Sequence, residues 1–214
     1  MRSWPGTGSN DVMPRPATPP ETIDAGVLVL RRNRAGDAAA VARAVRESLD
    51  HLQPWMPWAN PRATSVEAQA TRLAEVEAAW QRGTDFVYLL VPDQRDGGGA
   101  ATPDRPAGAT KDADGAVVLG MIGLHRRLGP GAVEIGYWTH VDHSGRGYMT
   151  AAAQAITRVA EALDDVQRVE IHTDEANVRS AAIPPKLGYR LDRVDTRRPE
   201  APAESGRLQI WVRP

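Results

Sequence analysis

The chain has 214 residues, with 26 Lys and Arg against 27 Asp and Glu, and no cysteine. That length suits one domain with a proper core. The net charge of -1 argues against a nucleic-acid partner, and the lack of cysteine removes disulfides, thiolate metal sites and cysteine nucleophiles. No apolar run approaches the roughly 18 residues of a membrane span, and the first residues carry no continuous apolar stretch of the signal-peptide kind. The expectation is a soluble, cytoplasmic protein with no membrane partner.

Residues 1–24, rich in Pro, Gly, Ser and Thr, read as a disordered lead-in, and 25–214 as a single domain. Val27 to Arg31 has the composition of a first strand. Asp37 is placed to cap a helix whose apolar residues, Val41, Val45, Leu49 and Leu52, recur at three- and four-residue spacing. Pro54 stops it, and Pro54-Trp55-Met56-Pro57-Trp58 sets two tryptophans in a proline-braced turn. Thr64-Ser65-Val66-Glu67 reads as a capping box, opening a helix that Gly83 ends. Phe86 to Val91 is a dense apolar strand. Residues 93–115 are poor in apolar bulk and read as a disordered insertion between strands. Val117 to Leu124 and Val133 to Val141 are strands turned at Gly129-Pro130-Gly131. A helix follows, with Met149, Ala153, Ile156, Ala160 and Leu163 on one stripe, then a strand over Val169 to Thr173. Asn177 caps a short helix, and strands begin at Gly188 and Leu208. The sum is a mixed α/β sheet, mostly antiparallel and flanked by helices.

The informative segment is strand, glycine loop, helix: Tyr137-Trp138-Thr139-His140-Val141-Asp142-His143-Ser144-Gly145-Arg146-Gly147-Tyr148-Met149-Thr150. Glycines at a helix N-terminus aim unpaired N–H groups at one point, and the helix dipole adds partial positive charge there. Arg146 can add a full charge. A phosphate or pyrophosphate is the natural ligand, although a tight turn that binds nothing has the same pattern. The loop is neither a Walker A motif nor a dinucleotide fingerprint, because no Gly-Lys-Ser/Thr and no third glycine follow. A nucleotide-binding module is disfavoured by that missing lysine.

With Glu170-Ile171-His172-Thr173-Asp174-Glu175-Ala176-Asn177-Val178-Arg179-Ser180 and Lys186-Leu187-Gly188-Tyr189, this segment resembles the GCN5-related N-acetyltransferase (GNAT) superfamily. The likeness is to its RimJ/RimL branch and spans Ala25 to Val212. Ile135-Gly136-Tyr137-Trp138 and the Trp55–Trp58 turn share in it. The family loop, Gln/Arg-x-x-Gly-x-Gly/Ala, falls on Ser144 to Met149, with Ser144 in place of Gln or Arg and Met149 in place of a small residue. The resemblance implies a GNAT fold with splayed central strands. It also implies acetyl-CoA as acyl donor and an amine acceptor, either a peptide N-terminus or a small molecule. Thr139, Val141, Ser144, Gly145, Arg146, Gly147, Tyr148, Met149, Thr150, Asn177 and Ser180 would hold the cofactor, and a backbone N–H near Thr139 to Val141 would polarise the thioester. Trp55, Trp58 and Tyr137 would line the acceptor groove. Relatives dimerise, so the resemblance leaves a homodimer open.

Pro184 stands where many relatives keep the tyrosine that protonates the departing thiolate. Ser180 is the remaining hydroxyl there, as a weak acid or as a hydrogen-bonding group. For the amine's proton, Glu170, His172 and Asp174 share one strand face by alternation. His172 has an ordinary pKa of about 6.5, suited to a base, and Glu134 on the neighbouring strand is a second candidate. Glu170 and His172 read equally as a polar pair on the sheet. No His and carboxylate group has metal-ligand spacing, so no metal is expected. A non-catalytic acyl-CoA-binding domain is the alternative reading. Pro184 and Pro185 further predict a helix broken near Ile183, with the Ser180 carbonyl left free.

Overall fold

The computed structural model describes residues 17–93 and 117–213. Its eight strands form one sheet: β1 (Thr22–Asp24), β2 (Leu28–Arg32), β3 (Asp85–Pro92), β4 (Gly120–His125), β5 (Ala132–Thr139), β6 (Arg168–Asp174), β7 (Arg190–Thr196) and β8 (Arg207–Arg213). They lie in the order β1-β2-β3-β4-β5-β6-β8-β7. Every pairing is antiparallel except β5 with β6. The helices are α1 (Ala38–Glu47), α2 (Leu49–Leu52), α3 (Val66–Arg82), α4 (Tyr148–Glu161), α5 (Val178–Ala181) and α6 (Ile183–Lys186). Among the described residues no helix is long and apolar enough to cross a membrane.

Strand alternation divides the core in two. Val133 and Ile135 of β5 face α4, where Met149, Ile156 and Ala160 cover them. Trp138 of β5, Met121 and Leu89 face the other way, against Val41 and Val45 of α1. Trp80 closes the first core edge-on to Phe86 and Tyr88, with centroids 5.2 Å away in each case.

Three local expectations are corrected. The lead-in assigned to residues 1–24 is ordered at its end: Thr22–Asp24 pairs with β2, Ile23 is buried, and the Tyr88 hydroxyl donates to Pro20 O at 2.8 Å. Residues 1–16, and all of the expected insertion except Asp93, lie outside the described residues. Asp37 makes no side-chain cap of α1; its carboxylate instead accepts from Arg34 N at 2.6 Å and pairs with the Arg31 guanidinium. Ser65, rather than Thr64, caps α3 by accepting from Ala68 N at 3.1 Å, which puts alanine where a capping box needs Glu.

Candidate active site

The site opens where the sheet stops pairing. β5 and β6 are in register from Ala132 opposite Arg168 to Ile135 opposite Ile171 and no further, although β5 runs on to Thr139 and β6 to Asp174. On the other side β5 stays paired with β4 to Gly120 opposite Thr139, and His140 N donates to Leu119 O at 2.9 Å. Antiparallel N–H groups alternate in direction. The His140 N–H points to β4, so the Tyr137 and Thr139 N–H groups point to the β6 side, into the opening. Of the Thr139–Val141 stretch, the Val141 N–H is also engaged, donating to Ser48 Oγ at 3.0 Å. Thr139 is left as the donor that faces the gap.

The loop after β5 is fixed by the junction of α1 and α2. His140 Nδ1 accepts from Asp142 N at 3.2 Å, and its Nε2 lies 2.9 Å from Glu47 Oε2. Ser144 Oγ lies 3.3 Å from His51 Nε2. At the end of this loop Gly147 takes a left-handed φ of 81° and starts α4 without any side-chain cap, whereas Ser65 caps α3 and Asn177 caps α5. The first-turn N–H groups of α4 therefore have no intrahelical acceptor. A Cβ built on Gly145 or Gly147 would meet no protein atom within 4 Å, so the backbone edge is open to a ligand.

A cavity of about 510 Å³ joins these features. Tyr137, Trp138 and Thr139 supply one wall, and His143, Ser144, Gly145, Gly147, Tyr148, Met149 and Thr150 supply a second. His51, Leu52, Trp55 and Met56 form the side toward α2, and Asn177, Arg179, Ser180, Ala182, Ile183 and Lys186 complete the lining. No Asp or Glu is among these residues, while Arg179 and Lys186 are, which suits an anionic occupant.

Eleven of the residues singled out in the sequence thus share one cavity: Thr139, Ser144, Gly145, Gly147, Tyr148, Met149, Thr150, Asn177, Ser180, Trp55 and Tyr137. Val141 and Arg146 are exposed on the loop beside it. Trp58 lies elsewhere, with its ring centroid 6.1 Å from that of Trp138 and the Arg72 guanidinium 4.4 Å above it. It packs against the second core.

Glu134, Glu170 and His172 come together, but they do not line the cavity. Glu134 is opposite Glu170 in the parallel register. His172 Nε2 lies 2.5 Å from Glu170 Oε2, and its Nδ1 lies 3.7 Å from Glu134 Oε2. Arg127 donates to both Glu134 oxygens at 2.6 and 2.7 Å, and Arg168 pairs with Glu170. Burial pushes the Glu134 carboxyl up, but the Arg127 hydrogen bonds and the nearby His172 outweigh it and hold the group below its usual range. Asp174, on the same face, ends β6 and accepts from Ala176 N, Ser205 N, Ser205 Oγ and Gly206 N. It anchors the β7–β8 loop.

The segment after Asn177 breaks as the prolines require, with α5 ending at Ala181 and α6 starting at Ile183. The Ser180 carbonyl is not free, however. It accepts the Tyr137 hydroxyl at 3.2 Å, and Ser180 Oγ donates back to Tyr137 Oη at 3.3 Å. Burial pushes the Tyr137 phenol up to about 12. Sequence reading missed His51, Leu52, Met56, Trp138, His143, Arg179, Ala182, Ile183 and Lys186. His51 and Met56 flank the Trp55 turn and Arg179 lies between Asn177 and Ser180, so proximity along the chain was the available signal.

Residues 28–190 match the family model described as "Acetyltransferase (GNAT) domain". Comparison with curated proteins finds no match. Among solved structures the fold resembles RimL, a ribosomal L7/L12 alpha-N-protein acetyltransferase in complex with coenzyme A. The TM-score is 0.74 at 19% identity, over 90% of this chain and 97% of that one. Mycobacterium smegmatis RimJ in complex with CoA-disulfide aligns with a TM-score of 0.70 at 20% identity, over 92% and 87%. The microcin C7 self-immunity acetyltransferase MccE, in complex with acetyl-CoA and AMP, aligns with 0.73 at 13%, over 91% and 96%. At these identities the likeness is one of fold.

Proposed function

Because the chain belongs to the GNAT acetyltransferase family, we propose that it transfers an acetyl group from acetyl-CoA to a primary amine, a peptide or protein N-terminal α-amine or a small-molecule amine. One observation carries this reading: a single cavity runs from the uncapped start of α4 to the unpaired edge of β5. The residues fit coenzyme A. Open backbone at Gly145 and Gly147, the positive end of α4, and Arg179 and Lys186 suit its phosphates. When bound, acetyl-CoA supplies the activated acetyl thioester.

The chain's own contribution is positioning and polarisation. The Thr139 N–H faces the opening with no strand partner, where it can donate to a carbonyl oxygen that gains negative charge. One such donor is worth about a hundredfold to a thousandfold in rate. Trp55 and Met56, on the α2 side of the cavity, provide the apolar side against which an acceptor is held. Ser180 lines the cavity with Tyr137 as its partner, and so can orient a departing sulfur or hand on a proton. The names of the RimL and RimJ structures support a peptide α-amine as acceptor.

The absence of any carboxylate from the lining favours, as a second reading, an acyl-CoA-binding domain without catalysis. Calorimetry with acetyl-CoA, CoA and ATP, followed by thiol release over a panel of amines and peptides, tests both. Acetyl-CoA binding with thiol release on at least one amine is the expected result. Tight binding with no release on any amine establishes the second reading, and preferential binding of ATP overturns both.

A further inference from the structure

Resting on the acetyl-transfer reading, the geometry points to His51 as the base that accepts the proton of the incoming amine. An α-amine is largely protonated near neutral pH and becomes a nucleophile only after losing that proton. The cavity holds no Asp or Glu to take it. Glu134, Glu170 and His172 lie outside the lining, already engaged with one another and with Arg127 and Arg168. Tyr137, pushed up to about 12, is no base near neutrality. Two imidazoles remain.

His143 differs from His51 in that, among the described residues, no hydrogen bond fixes the tautomer of its ring. It is 6% exposed, and its Nδ1 is buried with no partner. His51 is only half-buried, on the same wall as Trp55. Its Nε2 lies 3.3 Å from Ser144 Oγ, while among the described residues its Nδ1 has no hydrogen-bond partner and is not buried away from the cavity. With Nε2–H donated to Ser144 Oγ, the ring is held in the tautomer that leaves the Nδ1 lone pair for the amine. Ser144 is then a positioning residue. Its hydroxyl has the ring of His51 as partner.

The groups that face His51 favour its neutral, proton-accepting form. Burial comes first, then the Arg179 guanidinium from α5 and His140 from the loop, and together they hold the imidazole below its ordinary value. Glu47, one turn earlier, is paired with His140. Proton accounting closes. One proton of the ammonium goes to His51 Nδ1 and on to solvent. The neutral nitrogen forms the new C–N bond as the C–S bond breaks, the sulfur leaves with the bonding pair, and the second nitrogen proton ends on the CoA thiol.

The test compares wild type, His51→Gln and Ser144→Ala. It reads kcat/KM against pH, CoA affinity by calorimetry and, without turnover, the His51 ring pKa by NMR. His51→Gln is expected to lower kcat/KM about a hundredfold or more and to abolish the acidic limb assigned to the imidazole, with CoA affinity changed less than threefold. Imidazole added to His51→Ala should restore part of the rate. Ser144→Ala should lower kcat several-fold with little change in KM. Arg179→Gln should raise the His51 pKa. A His51→Gln enzyme with full rate and an unchanged acidic limb overturns the proposal alone. So does loss of that limb in His172→Gln and not in His51→Gln. A wild type that binds CoA but acetylates no amine takes down the acetyl-transfer reading and this proposal with it.

Discussion

Gly147 separates cofactor recognition from backbone strain, because the chain contains a matched control. Gly147 has a φ of 81° and Gly26 a φ of 79°, and a Cβ on either would meet no protein atom within 4 Å. Alanine at either position must hold a left-handed conformation, at about 1–2 kcal/mol relative to glycine. Neither variant adds a clash, so both should lose that much stability and no more. Only Gly147 lines the cavity. A methyl group there keeps a phosphate from closing on the α4 N–H groups, and losing one hydrogen bond to a charged group costs about 1.5–3 kcal/mol. That converts to roughly tenfold to hundredfold weaker CoA binding. Urea denaturation measures the first quantity and isothermal calorimetry the second. Equal CoA affinities for Gly147→Ala and Gly26→Ala would refute the backbone-centred account, however large the stability loss.

Two further outcomes follow from the contacts around the site. Trp58→Ala should cost about 2 kcal/mol of stability, through lost packing on Trp138 and under Arg72, whereas Trp55→Ala should chiefly raise acceptor KM; denaturation and steady-state kinetics showing the opposite pattern would reverse the assignment. Asp174 accepts from four donors; burial raises its pKa, but the Ser205, Ala176 and Gly206 hydrogen bonds prevail and depress it. A folded pKa below the unfolded value of about 3.9 gives stability that is complete above that value and lost as pH falls through the folded one. Asp174→Asn should therefore cost about 2–3 kcal/mol at pH 7 and less at pH 3; a gap that does not narrow on acidification would contradict this origin.

What was legible in the sequence is what short-range physics decides. The glycine loop opens α4 because Gly147 adopts a conformation that other residues resist. The helix after Asn177 breaks at Ala182 because Pro184 and Pro185 offer no N–H to the Ser180 and Ala181 carbonyls, although Ile183 and Pro184, before the two prolines, stay helical in α6. Alternation along β5 correctly sends Ile135 to one core and Trp138 to the other. The misses depend on partners far along the chain. β1 has one buried apolar residue, Ile23, and exists through its pairing with β2 and the Tyr88 anchor on Pro20. Nothing near Ser180 announces that Tyr137 occupies its carbonyl. Alternation placed Glu170 and His172 on one face correctly, but could not say that the cavity forms beyond their end of the pairing.

The glycine loop owes its position to residues outside its motif. Glu47 meets His140, Ser48 meets Val141 and His51 meets Ser144, each pair 93 residues apart, so the α1–α2 junction runs alongside the loop in constant register. Ser48 is fully buried at the point where α1 gives way to α2, and its hydroxyl is free to accept from the Val141 N–H. Each bond is worth only about 1 kcal/mol net, but the three act on one short segment. They bind the wall that carries Trp55 to the loop that opens α4, and ordering one side therefore restricts the other. A displaced Ser48 would also release the Val141 N–H from its acceptor. Two glycines at a helix start are weak evidence of a site. The stitched junction, which engages one N–H and leaves the next strand donor facing the gap, is what gives this loop a chemical direction.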